Sequence, residues 1–188
     1  MKKHLMQDCL ASRCDAAGVS DLELPQHMIL DASVNEVYLW HGCQDVAAME
    51  IIQSGFDERL ANWKALYGTG NYFASEVCKS LQYARARGCN NTRTWGLCGK
   101  QICQCRPRHM HGLVKRRLLL CRVLLGDPYF ASGPLLGHCR PPGNGDSIVV
   151  DPKSVHKRKQ AHHEYVVWNH QGAQAYPEFI VDVEINVS

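Results

Sequence analysis

The pattern of apolar and polar positions predicts several short strands and two short helices between residues 36 and 188. Strands are indicated where β-branched and aromatic residues cluster, or where apolar and polar residues alternate, at 36–40, 71–74, 117–125, 164–168 and 179–187. Helical spacing follows Asp45 as far as a stop at Gly55, and a second helix runs from a cap at Ser75 to about Tyr83. Several strands with few helices predict an α+β domain.

Segments without such a pattern divide the chain. Residues 1–35 show no sustained period and are predicted to form an irregular or divergent N-terminal segment, which leaves 36–188 as the structured domain. Residues 57–70 and 131–147 are rich in glycine and polar residues, so both are predicted to be loops. Between residues 88 and 111, cysteines and basic residues replace the apolar periodicity, and this stretch is predicted to be a surface insertion.

Composition and charge narrow the classes of function. Hydrophobic residues make up 45% of the chain and charged residues 21%, so a buried core is attainable. No apolar run approaches the ~20 residues that a membrane span requires, and the first residues lack an apolar signal core. We therefore expect an intracellular protein, cytoplasmic or nuclear, without a membrane partner. The net charge of +3 is too small to indicate direct binding to nucleic acid.

Four of the ten cysteines are close together in the predicted insertion, at Cys89, Cys98, Cys103 and Cys105. Thiolates suit Zn²⁺, and a structural zinc site takes four nitrogen or sulfur ligands. The spacing is C-x8-C-x4-C-x-C, and His109 or His111 could replace one cysteine. The segment has nothing else to order it, so we predict a structural zinc ion. The alternative is a loop with ordinary free thiols.

Three separated motifs contain the candidate chemistry: Trp40-His41-Gly42, Gly70–Ala74 followed by Lys79–Tyr83, and His163–Val167. Each motif alone is weak, because a histidine at a strand end, a tyrosine within a strand or a glutamate at a strand start is usually structural. Two tyrosine rings, with a hydroxyl and a backbone amide at the edge, would nevertheless suit a flat aromatic ligand.

Taken in order, the motifs resemble the catalytic domain of the poly(ADP-ribose) polymerases, most closely that of the tankyrases. The matching segments are HG (41–42), IIQSGFDER (51–59), YGTGNYFA (67–74), CKSLQY (78–83), LLCRVLLG (119–126), EYVVW (164–168) and QAYPEFIV (174–181). The resemblance implies an ADP-ribosyltransferase-like fold of split antiparallel β-sheets with short flanking helices and a zinc-binding loop. It also implies transfer of ADP-ribose from NAD⁺ to protein acceptors, with release of nicotinamide.

By this resemblance, His41, Tyr72 and Glu164 form the catalytic set. Cleavage of the bond between nicotinamide and ribose passes through an oxocarbenium-like state, as glycoside hydrolysis does. A carboxylate bound to the ribose 2′-hydroxyl stabilises that state more than the ground state, and Glu164 would have this role. His41 would bind the adenosine ribose. The set permits elongation of a poly(ADP-ribose) chain without requiring it.

The remaining implied contacts surround the nicotinamide. The Gly42 backbone and the Ser80 hydroxyl would hold its carboxamide, while Tyr83 and Tyr72 would stack on its two faces. Lys79 occupies a position where the family often has a lysine near the glutamate. Residues 57–70 would form the donor loop over NAD⁺, and residues 144–163 would border the acceptor side.

Two positions depart from the family's usual pattern, and two other functions remain open. Cys43 stands where the family usually has serine or threonine, and Leu60 replaces a donor-loop histidine of the tankyrases. One alternative is a catalytically weak module of the same fold that binds partners. The other is a zinc-dependent nucleic-acid-binding domain that uses the basic residues of 85–117, although the weak net charge counts against it.

Overall fold

The computed structural model describes residues 29–84, 112–151, 155, 162–168 and 174–187. The elements are β1 (Glu36–His41), α1 (Asp45–Ser54), β2 (Asn71–Ala74), α2 (Val77–Leu81), β3 (Gly112–Leu124), β4 (Pro128–Phe130), β5 (Ser147–Val150), β6 (Glu164–Val167) and β7 (Ala175–Val187), with 3-10 turns at Ala32–Val34 and Glu58–Leu60. This confirms the α+β class. Within the described residues, no helix combines the length and the apolar character needed to cross a membrane.

The strands form one sheet in the order β4-β5-β6-β2-β1-β3-β7. The ladder between β1 and β2 contains the pair Trp40–Ala74, whereas the ladder between β3 and β7 extends along both strands. The sheet therefore has two halves that meet at a narrow junction, as the split architecture predicts. The expected antiparallel pairing holds for every described ladder except β4–β5, which is parallel because residues 131–146 cross over between these strands.

Helix starts and two strands differ from the sequence prediction. Gln44 is the N-cap of α1, and Asp45 lies in the first turn, where a carboxylate favours the positive end of the helix. Helix α2 is shorter than predicted, with Glu76 as its N-cap. Strands β4 and β5 were not predicted, because each has only three or four residues beside a segment rich in glycine and proline.

A β-bulge divides β7 and changes which of its residues face each layer of the core. Leu120 pairs with Phe179 but Cys121 pairs with Pro177, so β7 carries one extra residue at this point. Before the bulge, Ala175 packs into the core that includes α1, whereas after it Val183 packs beneath α2. The bulge precedes residues 179–187, so it does not interrupt their alternation, in which Val181 and Val183 are half-buried and Asp182 and Glu184 are exposed.

Three apolar clusters hold the elements together. The largest, beside α1, includes buried side chains of β1, β2, β3 and β6: Val37, Leu39, Phe73, Leu119, Cys121, Val123 and Val167. A second cluster fixes α2 on β3 through Leu81, Ala84 and Leu118. The third cluster joins β5 and β6 to the loop before β2 through Tyr67, Ile148, Val150, Val166 and Trp168. The loop before β2 is thus anchored by packing.

A buried arginine connects the three strands β1, β3 and β7. Arg122 Nη1 lies 3.3 Å from Glu36 Oε2, and Nε lies 3.1 Å from Glu178 Oε2. Tyr38 donates its hydroxyl to Glu178 at 2.6 Å and receives a hydrogen bond from Arg122 Nη2 at 3.1 Å. The arginine side chain is only 9% exposed, so one cation compensates two carboxylates that are largely removed from water.

Replacing this arginine should destabilise the fold strongly. We expect Arg122→Met to lower the free energy of unfolding by about 3–5 kcal/mol, because Glu36 and Glu178 would remain buried without their cation. The matched control is Arg117→Met on the same strand, whose exposed ion pair with Asp182 should contribute less than about 1 kcal/mol. Urea denaturation of both variants tests this, and equal losses would contradict it.

Candidate active site

The first feature of the site is a very close approach between the end of β1 and helix α2. A Cβ atom at Gly42 would overlap the backbone carbonyl of Ser80. The Ser80 hydroxyl donates to the carbonyl of Trp40 at 2.9 Å, and the serine is only 4% exposed. Only glycine allows this contact. The backbones of Gly42 and Ser80 are therefore held next to each other, and the Ser80 side chain is bonded to Trp40 beside them.

Substituting the glycine tests this contact. We expect Gly42→Ala to lower the free energy of unfolding by about 1–3 kcal/mol or more, because α2 would have to move away from β1. Gly133→Ala is the control, since a Cβ atom there would meet nothing within 4 Å. Thermal melts of the two variants measure the difference. Similar melting temperatures in the two variants would show that the contact between Gly42 and Ser80 tolerates a side chain.

His41 connects β1 to β2 at the junction between the two halves of the sheet. Its Nδ1 donates to the carbonyl of Tyr72 at 2.8 Å, so the neutral ring leaves Nε2 as a hydrogen-bond acceptor. The ring packs against Phe56 and Phe73, with centroid distances of 5.0 and 5.5 Å. Burial lowers the pKa of His41, and the bond to Tyr72 opposes this only in part. The acceptor at Nε2 is therefore available near neutral pH.

The lowered pKa of His41 has a defined effect on stability. In the unfolded chain this histidine binds a proton near pH 6.5, whereas in the folded protein it does so only at a lower pH. The stabilisation that neutral His41 contributes to the fold is therefore complete above pH 6.5. It should be lost as the pH falls from about 6.5 through the folded pKa. An NMR titration should give His41 a pKa below that of the same residue in the urea-unfolded chain. A value equal to or above the unfolded one would contradict this.

Tyr72 fixes the end of the predicted donor loop. Its hydroxyl accepts from the Tyr67 amide at 2.8 Å and donates to the Gly68 carbonyl at 2.9 Å. Burial raises the pKa of Tyr72, so the group stays a neutral phenol. Burial, with the nearby charge of Glu164, also raises the pKa of fully buried Tyr67 to about 12. Tyr67 begins the matching segment 67–74, but sequence reasoning assigned it no role, because its burial and its bond to Tyr72 depend on the folded structure.

The loop formed by residues 131–147 is hydrogen-bonded to the predicted donor loop. The Thr69 amide donates to the His138 carbonyl at 2.8 Å, and the Leu135 amide donates to the Leu66 carbonyl at 2.8 Å. The predicted loops 57–70 and 131–147 therefore lie against each other. Their contact limits how far the donor loop can move.

Glu164 and Lys79 form a partly buried ion pair. Lys79 Nζ lies 3.0 Å from Glu164 Oε1, and the two side chains are 16% and 17% exposed. The same ammonium lies 5.5 Å from the ring centroid of Tyr83, which is half exposed. Burial lowers the pKa of Lys79, but Glu164 and Tyr83 outweigh this, so the net shift is upward. Lys79 thus remains a cation beside the carboxylate.

A further group of titratable residues lies around the start of β6. His163 is within 3.7 Å of both Glu76 and Asp151, and His162 lies 3.6 Å from the sulfur of Cys78. Burial lowers the pKa of His162. For Glu76, burial raises the pKa, but bonds to His163 and neighbouring groups outweigh it and leave the pKa lowered. These contacts tie the residue before Glu164 to the start of α2, a link that sequence reasoning missed.

The structure brings the sequence-predicted residues together in two linked groups. Gly42, Ser80, Lys79, Tyr83 and Glu164 gather around α2, and the side chain of His41 is bonded to the backbone of Tyr72 next to them. The roles assigned to these residues remain predictions. So does the boundary at residue 36.

The predicted zinc ligands Cys89, Cys98, Cys103 and Cys105 lie outside the described residues, as do His109 and His111. Within the described ranges, no group of three or more histidine, cysteine, aspartate or glutamate side chains could hold a metal ion. The zinc site is therefore still a prediction from the sequence. Of the predicted acceptor border, 144–151, 155 and 162–163 are described.

Comparison with protein families gives a match over most of the chain. The model of the poly(ADP-ribose) polymerase catalytic domain matches residues 18–185. The matched range includes every described element except the last two residues of β7. It also begins well before β1, within the segment that the sequence pattern predicts to be irregular.

Proposed function

Because the chain belongs to the family of poly(ADP-ribose) polymerase catalytic domains, we propose that it transfers ADP-ribose from NAD⁺ to protein acceptors through Glu164. Membership implies ADP-ribosyltransferase activity in general, with NAD⁺ as the co-substrate. The observation that carries the proposal is the Lys79–Glu164 pair. The ammonium that pairs with the carboxylate also lies 5.5 Å from the ring centroid of Tyr83, and Lys79 precedes Ser80, whose backbone meets Gly42.

The pocket residues suit the nicotinamide end of NAD⁺. The backbone of Gly42 can bind a carboxamide, and the Ser80 oxygen, while donating to the Trp40 carbonyl, can accept from the carboxamide NH₂ group. The half-exposed ring of Tyr83 offers a stacking face. Tyr72 is neutral and held by two hydrogen bonds, so its ring is preorganised to support the other face. A leaving group that is oriented in this way reaches the transition state at a smaller entropic cost.

Glu164 stabilises the charge that develops during transfer. The bond between ribose C1 and the nicotinamide nitrogen breaks, and its electron pair neutralises the positive nicotinamide ring. The ribose gains positive charge, which a carboxylate bound to the 2′-hydroxyl stabilises. The acceptor then forms a bond to C1 and loses a proton. Lys79 holds Glu164 in place through the 3.0 Å contact.

The finer features of the activity are part of this proposal. The acceptor is a protein side chain or an ADP-ribose unit that is already attached. The order of motifs supports a tankyrase-like domain, and the His41, Tyr72 and Glu164 set supports elongation. A gel that separates single modification from polymer, after incubation with labelled NAD⁺, distinguishes the two products.

Neutralising the catalytic carboxylate tests the mechanism. We expect Glu164→Gln to reduce transfer by about 10²–10³-fold, because the amide keeps the shape of the side chain without its charge. The affinity for NAD⁺ should change little. The measurements are incorporation of labelled ADP-ribose and calorimetric binding of NAD⁺.

The control for this experiment is Glu184→Gln, which removes an exposed glutamate that pairs with Lys115 on the outer strand β7. Transfer by that variant should match the unaltered protein. Near-normal transfer by Glu164→Gln would contradict the assigned role. Binding of NAD⁺ without transfer by any form would favour the alternative of a catalytically weak binding module.

We also propose that Cys89, Cys98, Cys103 and Cys105 hold one structural zinc ion. The support is their spacing and the lack of an apolar face in that segment. Such a thiolate site suits the reducing intracellular compartment that the cysteine usage predicts. A closed site with four protein ligands has no open position for a substrate, so it would take no part in bond cleavage.

Metal analysis tests the zinc proposal. We expect about one zinc ion per chain, and loss of that metal together with a lower melting temperature in the double variant Cys103→Ser/Cys105→Ser. Cys139→Ser, which removes an exposed free thiol elsewhere, is the control and should keep the metal. Protein that is fully stable with far less than one zinc per chain would show that these are ordinary thiols.

A further inference from the structure

Asn71, the first residue of β2, carries a buried polar atom without a hydrogen bond. Its Nδ2 is shielded from solvent and has no partner in the part of the chain that the structure describes. An unpaired buried donor is costly, so each such group in a folded protein calls for an explanation. Costs of this kind concentrate at functional sites, where a substrate supplies the missing partner.

The position of Asn71 on β2 places it on the His41 side of the strand. Side chains on a strand point alternately to its two faces, so Asn71 shares a face with Phe73. The Phe73 ring packs against Phe56 and against the imidazole of His41, with centroid distances of 5.1 and 5.5 Å. Tyr72 points to the other face and packs with the cluster that contains Tyr67. The two faces of β2 therefore meet different parts of the site.

The backbone around Asn71 is fixed by its contacts with β6. Asn71 pairs with Val167 in the ladder between β2 and β6. At the preceding position, a Cβ atom on Gly70 would lie 2.6 Å from Val166 Cγ1 and 2.8 Å from the Val167 carbonyl oxygen. Only glycine allows this approach to β6. The backbone of Asn71 is thus held where the donor loop joins β2, and the partly exposed side chain can turn about its own bonds toward a ligand.

We propose that the Asn71 amide binds NAD⁺ on the His41 face of β2, at hydroxyl or phosphate oxygens remote from the nicotinamide. This proposal rests on the proposed function. The nicotinamide contacts lie around α2 and on the Tyr72 face, so the rest of the dinucleotide is the part left to reach His41. Its oxygens accept hydrogen bonds, and the Asn71 NH₂ group has donors to offer. Asn71 is then a substrate-binding residue that contributes to affinity.

Two variants of Asn71 separate binding from folding. Asn71→Leu has a similar size but no donor, and should weaken NAD⁺ binding about tenfold. Nicotinamide alone should bind as before, within about twofold. Asn71→Asp keeps the shape but presents only acceptors, so it should weaken NAD⁺ at least as much. Calorimetry with NAD⁺ and with nicotinamide provides both affinities for each variant.

Stability provides a second readout. Because Asn71→Leu removes a buried unpaired donor, the melting temperature of the ligand-free protein should be equal to or above that of the unaltered chain. If Asn71→Leu does not fold, the affinities of Asn71→Asp for NAD⁺ and nicotinamide test the proposal instead. Gln53→Leu, which replaces an exposed amide side chain on α1, is the control and should alter neither affinity.

Three outcomes would overturn the proposal. Unchanged NAD⁺ affinity in the Asn71 variants would overturn it, and so would an equal loss of NAD⁺ and nicotinamide affinity, which indicates general damage. Unaltered protein that does not bind NAD⁺ would overturn both this proposal and the proposed function. Binding by the unaltered protein with unaffected Asn71 variants would overturn this proposal alone.

Discussion

The contact between Gly42 and the Ser80 backbone is the constraint on which the rest of the site depends. It is too close for any side chain at Gly42, and it seats α2 against the end of β1. Because α2 spans only Val77–Leu81, fixing Ser80 also fixes Lys79 and the following Tyr83. A five-residue helix has little stability of its own, so packing and this contact must hold it in place.

The site lies across the junction between the two halves of the sheet. His41 belongs to the half that Arg122 cross-links, while Tyr72 and Glu164 belong to the other half. The halves are linked at the site by side chains: the imidazole of His41 bonds to the Tyr72 carbonyl, and Lys79 bonds to Glu164. These side-chain links join the two halves where the main-chain pairing of β1 with β2 is short.

Burial and the nearest charged neighbour together determine the charge of the groups in the site. His41 is kept neutral by burial, Tyr72 is kept as a phenol, and Lys79 stays a cation because Glu164 is close. The site therefore combines hydrogen-bonding groups without charge on one side with one compensated carboxylate on the other. Asn71 fits this pattern, since its unpaired amide adds a neutral donor on the His41 side. A dinucleotide with a reactive nicotinamide end needs both environments.

The α+β class and most strands could be predicted from the sequence alone, and the resemblance of its motifs indicated the residues of the candidate site, whose roles are still predictions. Strand patterns are local, and the glycine at position 42 and the motif around Tyr72 can be read from short segments. The bulge at Glu178 and the parallel pairing of β5 became visible only in the folded chain, because pairing partners are distant in sequence. The unpaired amide of Asn71 was also visible only there, since burial and hydrogen-bond partners depend on atoms that the folded chain brings together.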